Sequence, residues 1–344
     1  MKKIFLAVVA AAGMLTSCNT QTEIVQKEVH SDYTQYVNPL MGTQSSFELS
    51  TGNTYPAIAM PWGMNFWTPR TNRIGDGWQY TYTANKIYGF EQTHQPSPWI
   101  NDYGQFSLMP VTGEVEMDER KRASWYSHKG EVALPHYYKV YLAEYDVVTE
   151  MAPTERAAMF RFTFPDADSY VVVDAYDRNS SIKIIPEENK IVGYTTRNSG
   201  GVPENFKNYF VVVFDKPFTY TATFSNDVQP AKKNAAVPVT LKEGKLEQTD
   251  FHTGAVIGFK TKKGEKVHAR VASSFISPEQ AELNLKELGN DNFNTVVEKG
   301  KNRWNEVLGK ADVQGGNLDQ YRMFYSCLYR SLLFPRKLIK PTIP

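Results

Sequence analysis

Cysteine is almost missing: the 344 residues contain two, Cys18 and Cys327. That excludes a disulfide framework and any metal site built on clustered thiolates. An excess of either charge is missing too. The chain has 38 Lys and Arg against 37 Asp and Glu, a net charge of +1, and its basic residues are scattered. A nucleic-acid-binding protein would show a basic patch or stripe instead. The apolar run at residues 4–15 has only 12 residues, whereas a membrane-spanning helix needs about 20. One stretch lacks charge altogether. Residues 50–69, "STGNTYPAIAMPWGMNFWTP", hold no Asp, Glu, Lys or Arg, although 22% of the chain is charged. Its three prolines and two glycines break it too often for a long helix or a buried strand.

Aromatic residues are plentiful, with 20 Tyr, 19 Phe and 6 Trp. Most are expected to pack a sandwich core, where aromatic and β-branched residues fit the pleated surface. A smaller number, placed on loops, suit contact with sugars. The amino terminus has the form of an export signal: Lys2 and Lys3 precede the short apolar run. "LTSC", ending at Cys18, resembles a bacterial lipobox. That implies a lipoprotein signal at residues 1–17, lipidation of Cys18, and a polar tether over residues 18–35. Asn19 after the cysteine favours the outer membrane, by the same resemblance. An ordinary signal peptide cut near Ser17 is the other reading. Membrane contact is expected only through this lipid anchor. Cys327 lies in an apolar helical pattern and is expected to be a buried, inert thiol.

Residues 36–276 read as β. The runs 157–164, 170–175, 209–214, 219–224, 255–260 and 267–275 have strand length and are rich in β-branched and aromatic residues, with turn-formers between them. "KVHARVASSF" alternates, whereas "YVVVDA" and "YFVVVF" are continuous and are expected to be buried on both faces. Strands without intervening helices predict a mainly β fold, a large antiparallel β-sandwich. The period changes at residue 277. "SPEQ" places Ser277 at an N-cap, Pro278 at the first helical position and Gln280 where a capping box needs it. Phe293, Val296, Val297, Trp304, Val307 and Leu308 keep helical spacing, and Leu318, Tyr321, Tyr325, Leu328 and Leu332 form a second stripe. Residues 277–344 are therefore expected to be a helical linker and the start of a larger helical domain, with some apolar helix surface left uncovered.

Several blocks occur in a telling order: "YVNPLMGT", "GNTYPAIAMPWGMNFWTP", "KIYGFEQTH", "DYGQFSLMP" and "FYSCLYRSLLFPR". From about residue 36 onward the chain resembles glycoside hydrolase family 92, the exo-acting α-mannosidases. The resemblance implies an N-terminal β-sandwich joined by a helical linker to an (α/α) toroid, of which this chain carries only a truncated beginning. It implies calcium-dependent hydrolysis of mannose-containing glycans with inversion at the anomeric carbon. Inversion uses an acid and a base roughly 6.5–9.5 Å apart, and calcium takes hard oxygen ligands. In the family these groups and the calcium ligands belong to the toroid, so no catalytic carboxylate and no metal ligand is assigned to this chain.

What the resemblance carries over is the sandwich's share of a sugar pocket between the two domains. Gly52, Asn53 and Thr54 match a glycine-containing loop that would bond sugar hydroxyls. His94, Trp99 and Asp102 match a block that reaches toward the leaving sugar, with the Pro-bracketed Trp99 presenting an indole face. Other readings stand beside these. His94 also suits a structural histidine, Asn53 an ordinary turn, and Asp102 a turn cap. Trp62 and Trp67 read as core packing, and Trp78 as either. A different function class is also open: a surface lipoprotein that binds carbohydrate through the same loops without catalysis.

Overall fold

A computed structural model describes residues 32–44, 54–72, 79–94, 102–228 and 238–338. Cys18, Gly52, Asn53, Trp78 and Trp99 lie outside these residues. Among the described residues the chain forms two large antiparallel sheets packed face to face, the expected sandwich. The first has seven strands, in the order Phe66–Arg70, Gly89–Thr93, Ser107–Thr112, Ala167–Asp174, His252–Thr261, Tyr220–Asn226 and Thr240–Glu243. The second has nine: Glu247–Asp250, Ser180–Ile185, Lys190–Thr195, Asn208–Phe214, Glu265–Ser274, Ala157–Phe164, Val147–Pro153, Tyr137–Leu142 and Val132–Leu134. A two-stranded ribbon, Lys86–Ile87 with Ser124–Trp125, flanks them.

Alternation sets which side chains enter the core. In Tyr137–Leu142, Tyr138, Val140 and Leu142 are buried while Lys139 and Tyr141 are exposed. Between the sheets Phe106 stacks on Phe210 at 4.5 Å, and Trp67 meets Phe106 and Phe160 edge-on at 5.8 and 5.2 Å. Trp67 is thus a core residue, as the sequence suggests. Trp62 is only half-buried and adopts φ +56°, so it is a turn residue rather than a core one. Gly254 marks the tightest cross-strand packing: a Cβ there would stand 1.9 Å from Phe224 Cζ, so the ring occupies the space that any side chain needs.

The continuous apolar run in Asn208–Phe214 has a partner on each side. Phe210 and Val212 face the sandwich core, while Val211 joins Ala272 and Met159 beneath a helical layer. That layer is made of α1 (Pro278–Leu285) and α2 (Phe293–Leu308), through Ala281, Phe293 and Val296. A third helix, α3 (Leu318–Ser331), follows. Ser277 caps α1 by accepting from the Gln280 amide at 3.2 Å, but the Gln280 side chain turns to Asn284 instead of back to the cap. Half of the expected capping box forms there. The complete box is at α3, between Asn317 and Gln320.

On α3 the buried positions are Tyr325, Ser326 and Tyr329, while Leu318 is 51% exposed and Met323 63%. Cys327 is exposed, which corrects the expectation of a buried thiol. It lies two residues from both Tyr325 and Tyr329, and a two-residue step turns the side chain to the opposite side of a helix.

Helices α2 and α3 explain the uncharged stretch. From residue 54 it runs as an extended coil beneath them, and successive carbonyls of an extended chain point to opposite sides. The Tyr55, Ala57 and Ala59 carbonyls all face the helices. They accept from Arg330 Nη1 at 2.8 Å, from the Tyr329 hydroxyl, and from Trp304 Nε1 at 2.8 Å. Ile58, pointing the other way, exchanges both backbone bonds with Trp67 at 2.8 and 3.0 Å. Every one of these buried carbonyls has a donor, as an apolar surrounding requires. The stretch lacks charge because helices cover it on one side and the sandwich on the other.

Candidate functional site

The end of the strand Gly89–Thr93 in the seven-stranded sheet brings Thr93 and His94 to Asp102. Asp102 is fully buried and accepts four hydrogen bonds. Its Oδ1 takes the His94 and Tyr103 backbone N–H at 3.0 and 2.7 Å, and its Oδ2 takes the Thr93 hydroxyl at 2.6 Å and the Gln79 amide at 3.1 Å. Burial pushes its carboxyl above the usual carboxylate range, against the pull of those four donors. Asp102 therefore pins the two ends of the segment between His94 and Asp102 to each other and to residue 79.

His94 is buried as well. Its Nδ1 lies 2.7 Å from the Tyr103 carbonyl and its Nε2 faces the Asn65 side chain at 3.0 Å. Tyr103 stacks over the ring at 5.3 Å, and Phe275 meets it edge-on. Burial, then the nearby Arg336 charge, lowers its pKa to about 3. Burial thus disfavours the charged ring, although both of its nitrogens face oxygen acceptors, the Tyr103 carbonyl and Asn65 Oδ1. Arg336 closes this group by donating from Nη2 to the Tyr103 hydroxyl at 2.7 Å. Asn65 ties His94 to the nine-stranded sheet by donating to the Arg156 carbonyl and to Ser273 Oγ. Thr54 is half-buried, with its N–H on the Gly42 carbonyl and its hydroxyl on the Met41 carbonyl at 2.8 Å.

The candidate residues thus divide. The structure brings His94 and Asp102 together, but inside the protein, where they hold backbone instead of facing solvent. Thr54 stands apart on its own turn. Sequence reasoning missed Asn65, Gln79, Tyr103 and Arg336. Arg336 had one signal, its place at the end of the "FPR" block. Its partner Tyr103 is 233 positions away, and no periodicity reports such a contact.

Two further buried polar groups have the chemistry of an acid or base. Glu91 is fully buried between Arg70 Nε at 3.1 Å and the Gln105 amide. Burial pushes its carboxyl up to about 8 although Arg70 pulls it down. With no exposed surface it has no route to a ligand. Asp174 meets His252 at 2.7 Å and Arg122 at 3.5 Å. Burial opposes both charges, yet Asp174 holds His252 above its ordinary 6.5, and His252 with Arg122 holds Asp174 below its ordinary 3.8.

The raised histidine contributes stability fully below pH 6.5 and loses it as pH rises through its folded pKa. The depressed carboxylate contributes above pH 3.8 and loses it as pH falls through its own. His252→Gln is therefore expected to lower stability more at about pH 5.5 than at about pH 8.5. Urea unfolding at the two pH values checks this, and an equal loss at both would refute it. Among the described residues no three His, Cys, Asp or Glu side chains converge to hold a metal ion.

Residues 36–274 match the N-terminal domain of glycosyl hydrolase family 92, and residues 280–342 match its catalytic domain. The chain belongs to glycosyl hydrolase family 92. It is similar to the solved inverting mannosidase of this family from Bacteroides thetaiotaomicron, with 46% identity, a TM-score of 0.83, and coverage of 89% of this chain and 40% of that one. It is also similar to an α-mannosidase of the family from the same organism, solved in complex with mannoimidazole: 31% identity, TM-score 0.76, covering 89% of this chain and 40% of that one. A secreted glycosidase of Arthroderma benhamiae, described as uncharacterized, is 23% identical over an alignment 339 residues long, which covers 91% of this chain and 43% of that protein. The chain thus spans less than half the length of the relatives it matches.

Proposed function

We propose that this chain is the N-terminal part of an inverting exo-α-mannosidase acting on mannose-containing glycans, with its loops forming one wall of the sugar pocket. The supporting observation is the 46% identity, across 89% of this chain, to an inverting mannosidase of the same fold. The local geometry agrees with a wall that is built before any ligand arrives. Asp102 and His94 fix the two ends of the segment that contains Trp99, and Gln79 fixes a second loop end to the same carboxylate. Positioning of this kind spares a binding site the entropy of ordering its loops. His94 and Asp102 act in this reading as positioning residues, while Asn53, Thr54 and Trp99 are the residues offered to sugar. The acid and base of inversion, and the calcium, are assigned to the larger domain of such an enzyme. Isothermal titration of the chain with methyl α-mannoside and methyl α-galactoside tests the reading. Selective binding of the mannoside without release of mannose is expected. Equal binding of the two, or none of either, would overturn it.

A further inference from the structure

Beside the Thr54 turn stands a flat aromatic pair that the pocket wall does not use. Tyr82 stacks on His128 with ring centroids 4.0 Å apart and an interplanar angle of 5°. Tyr82 is 37% exposed. One ring face rests on the imidazole, and more than a third of the residue is open to solvent. Among the described residues its hydroxyl has no hydrogen-bond partner.

The pair is held rigidly from below. His128 Nε2 lies 2.6 Å from the Tyr82 carbonyl and Nδ1 lies 2.6 Å from Glu131 Oε2. The Glu131 side chain is fully buried and also accepts from the Tyr138 hydroxyl at 2.5 Å and the Tyr80 hydroxyl at 3.3 Å. Tyr126 braces the imidazole edge-on at 5.2 Å. A buried carboxylate with three partners is a costly support for a surface tyrosine, because its charge must be desolvated. Such a support makes sense where ring orientation matters. The location is specific as well. The Tyr82 N–H donates to the Thr43 carbonyl at 3.0 Å, and the next residue back, Gly42, accepts from Thr54. The platform is therefore two short links from the turn at which the proposed sugar-facing loop ends.

We infer that Tyr82, seated on His128, is an outer subsite for a neutral oligosaccharide, stacking on the CH face of a hexose beyond the terminal one. The inference rests on the proposed mannoside reading for the choice of sugar. A rigid tyrosine suits this ligand: its ring offers a flat apolar face at small entropic cost, and its free hydroxyl offers a donor and acceptor for sugar hydroxyls.

The test is calorimetric titration of the full chain and of its Tyr82→Ala and Tyr82→Phe variants with methyl α-mannoside and with an α-linked mannotriose. Unchanged urea midpoints show that the variants are folded. Tyr82→Ala is expected to weaken mannotriose binding about tenfold and to leave methyl α-mannoside unaffected, while Tyr82→Phe retains most of the mannotriose affinity. Mannotriose binding unchanged in Tyr82→Ala overturns the subsite while the mannoside reading stands. Equal weakening of both ligands overturns it too, because Tyr82 then belongs to the main pocket. If the unmodified chain binds no mannoside, the mannoside reading fails. A panel of gluco- and galacto-oligosaccharides then decides the platform: Tyr82-dependent binding of one of them keeps it, and its absence removes it.

Discussion

Trp304→Ala is expected to remove about 3–5 kcal/mol of stability and to loosen the joint between the helices and the sandwich. The indole is completely buried and sits 5.3 Å from the Tyr329 ring, within a cluster that includes Tyr55, Phe66, Leu308 and Tyr325. Two losses combine in the substitution. The first is the packing of a large side chain, whose removal leaves a cavity that rigid neighbours on three elements fill poorly. The second is the N–H that Trp304 donates to the Ala59 carbonyl at 2.8 Å. Trp304→Phe separates them: it keeps most of the volume but strands that carbonyl, at about 1–3 kcal/mol. Urea unfolding followed by far-ultraviolet circular dichroism measures both, since it does not depend on the tryptophan signal. An alanine variant losing less than about 1 kcal/mol would show that the helices hold the 54–60 coil by other means.

Asp102→Ala should be the next most damaging change, with a net loss of about 3 kcal/mol. The carboxylate satisfies two backbone N–H groups, one hydroxyl and one amide, all buried. Alanine leaves the two N–H groups and the hydroxyl without this acceptor and the Gln79 amide with only Thr93 Oγ1 at 3.2 Å, although it also relieves the cost of burying a carboxyl that the protein already holds above its usual range. Asp102→Asn tells the two effects apart. Its remaining oxygen keeps the His94 and Tyr103 N–H groups, and its new amide faces Gln79, whose own Oε1 is buried without a partner. Rotation of the Gln79 amide by half a turn restores that contact. The asparagine variant should therefore lose under half as much as alanine. Hydrogen exchange at the His94 and Tyr103 amides reports the local effect: both should exchange much faster in Asp102→Ala and near the normal rate in Asp102→Asn. Unchanged exchange in the alanine variant would show that Asp102 does not pin this segment.

The contrast between Asp102 and Trp99 shows what could be read in advance. Both lie in one stretch of sequence, and the order of the blocks around it is informative about family. Yet residue type alone left Asp102 open between a sugar ligand and a turn cap. Its four donors come from positions 79, 93, 94 and 103, two of them adjacent in sequence to nothing that marks a turn. Cys327 shows the same limit on a helix. Its apolar neighbours predict burial, but the packed face of α3 is set by where its tyrosines bond: Tyr329 to the Ala57 carbonyl, 272 positions away in the coil beneath, and Tyr325 to the Ala311 carbonyl just after α2.

Strand and helix identity are local matters, governed by side-chain period, β-branching and capping residues within a few positions. For that reason the sequence by itself determined the antiparallel sandwich, the switch to helices at Ser277, and membership of a family whose blocks recur in order. The destination of a buried polar atom is a non-local matter, because its partner must be brought to within about 3 Å by elements whose sequence separation is unconstrained. Only the tertiary structure could therefore decide that His94 and Asp102 lie inside as loop anchors, that Arg336 reaches Tyr103, and that the uncharged coil is sealed between α2, α3 and the sandwich.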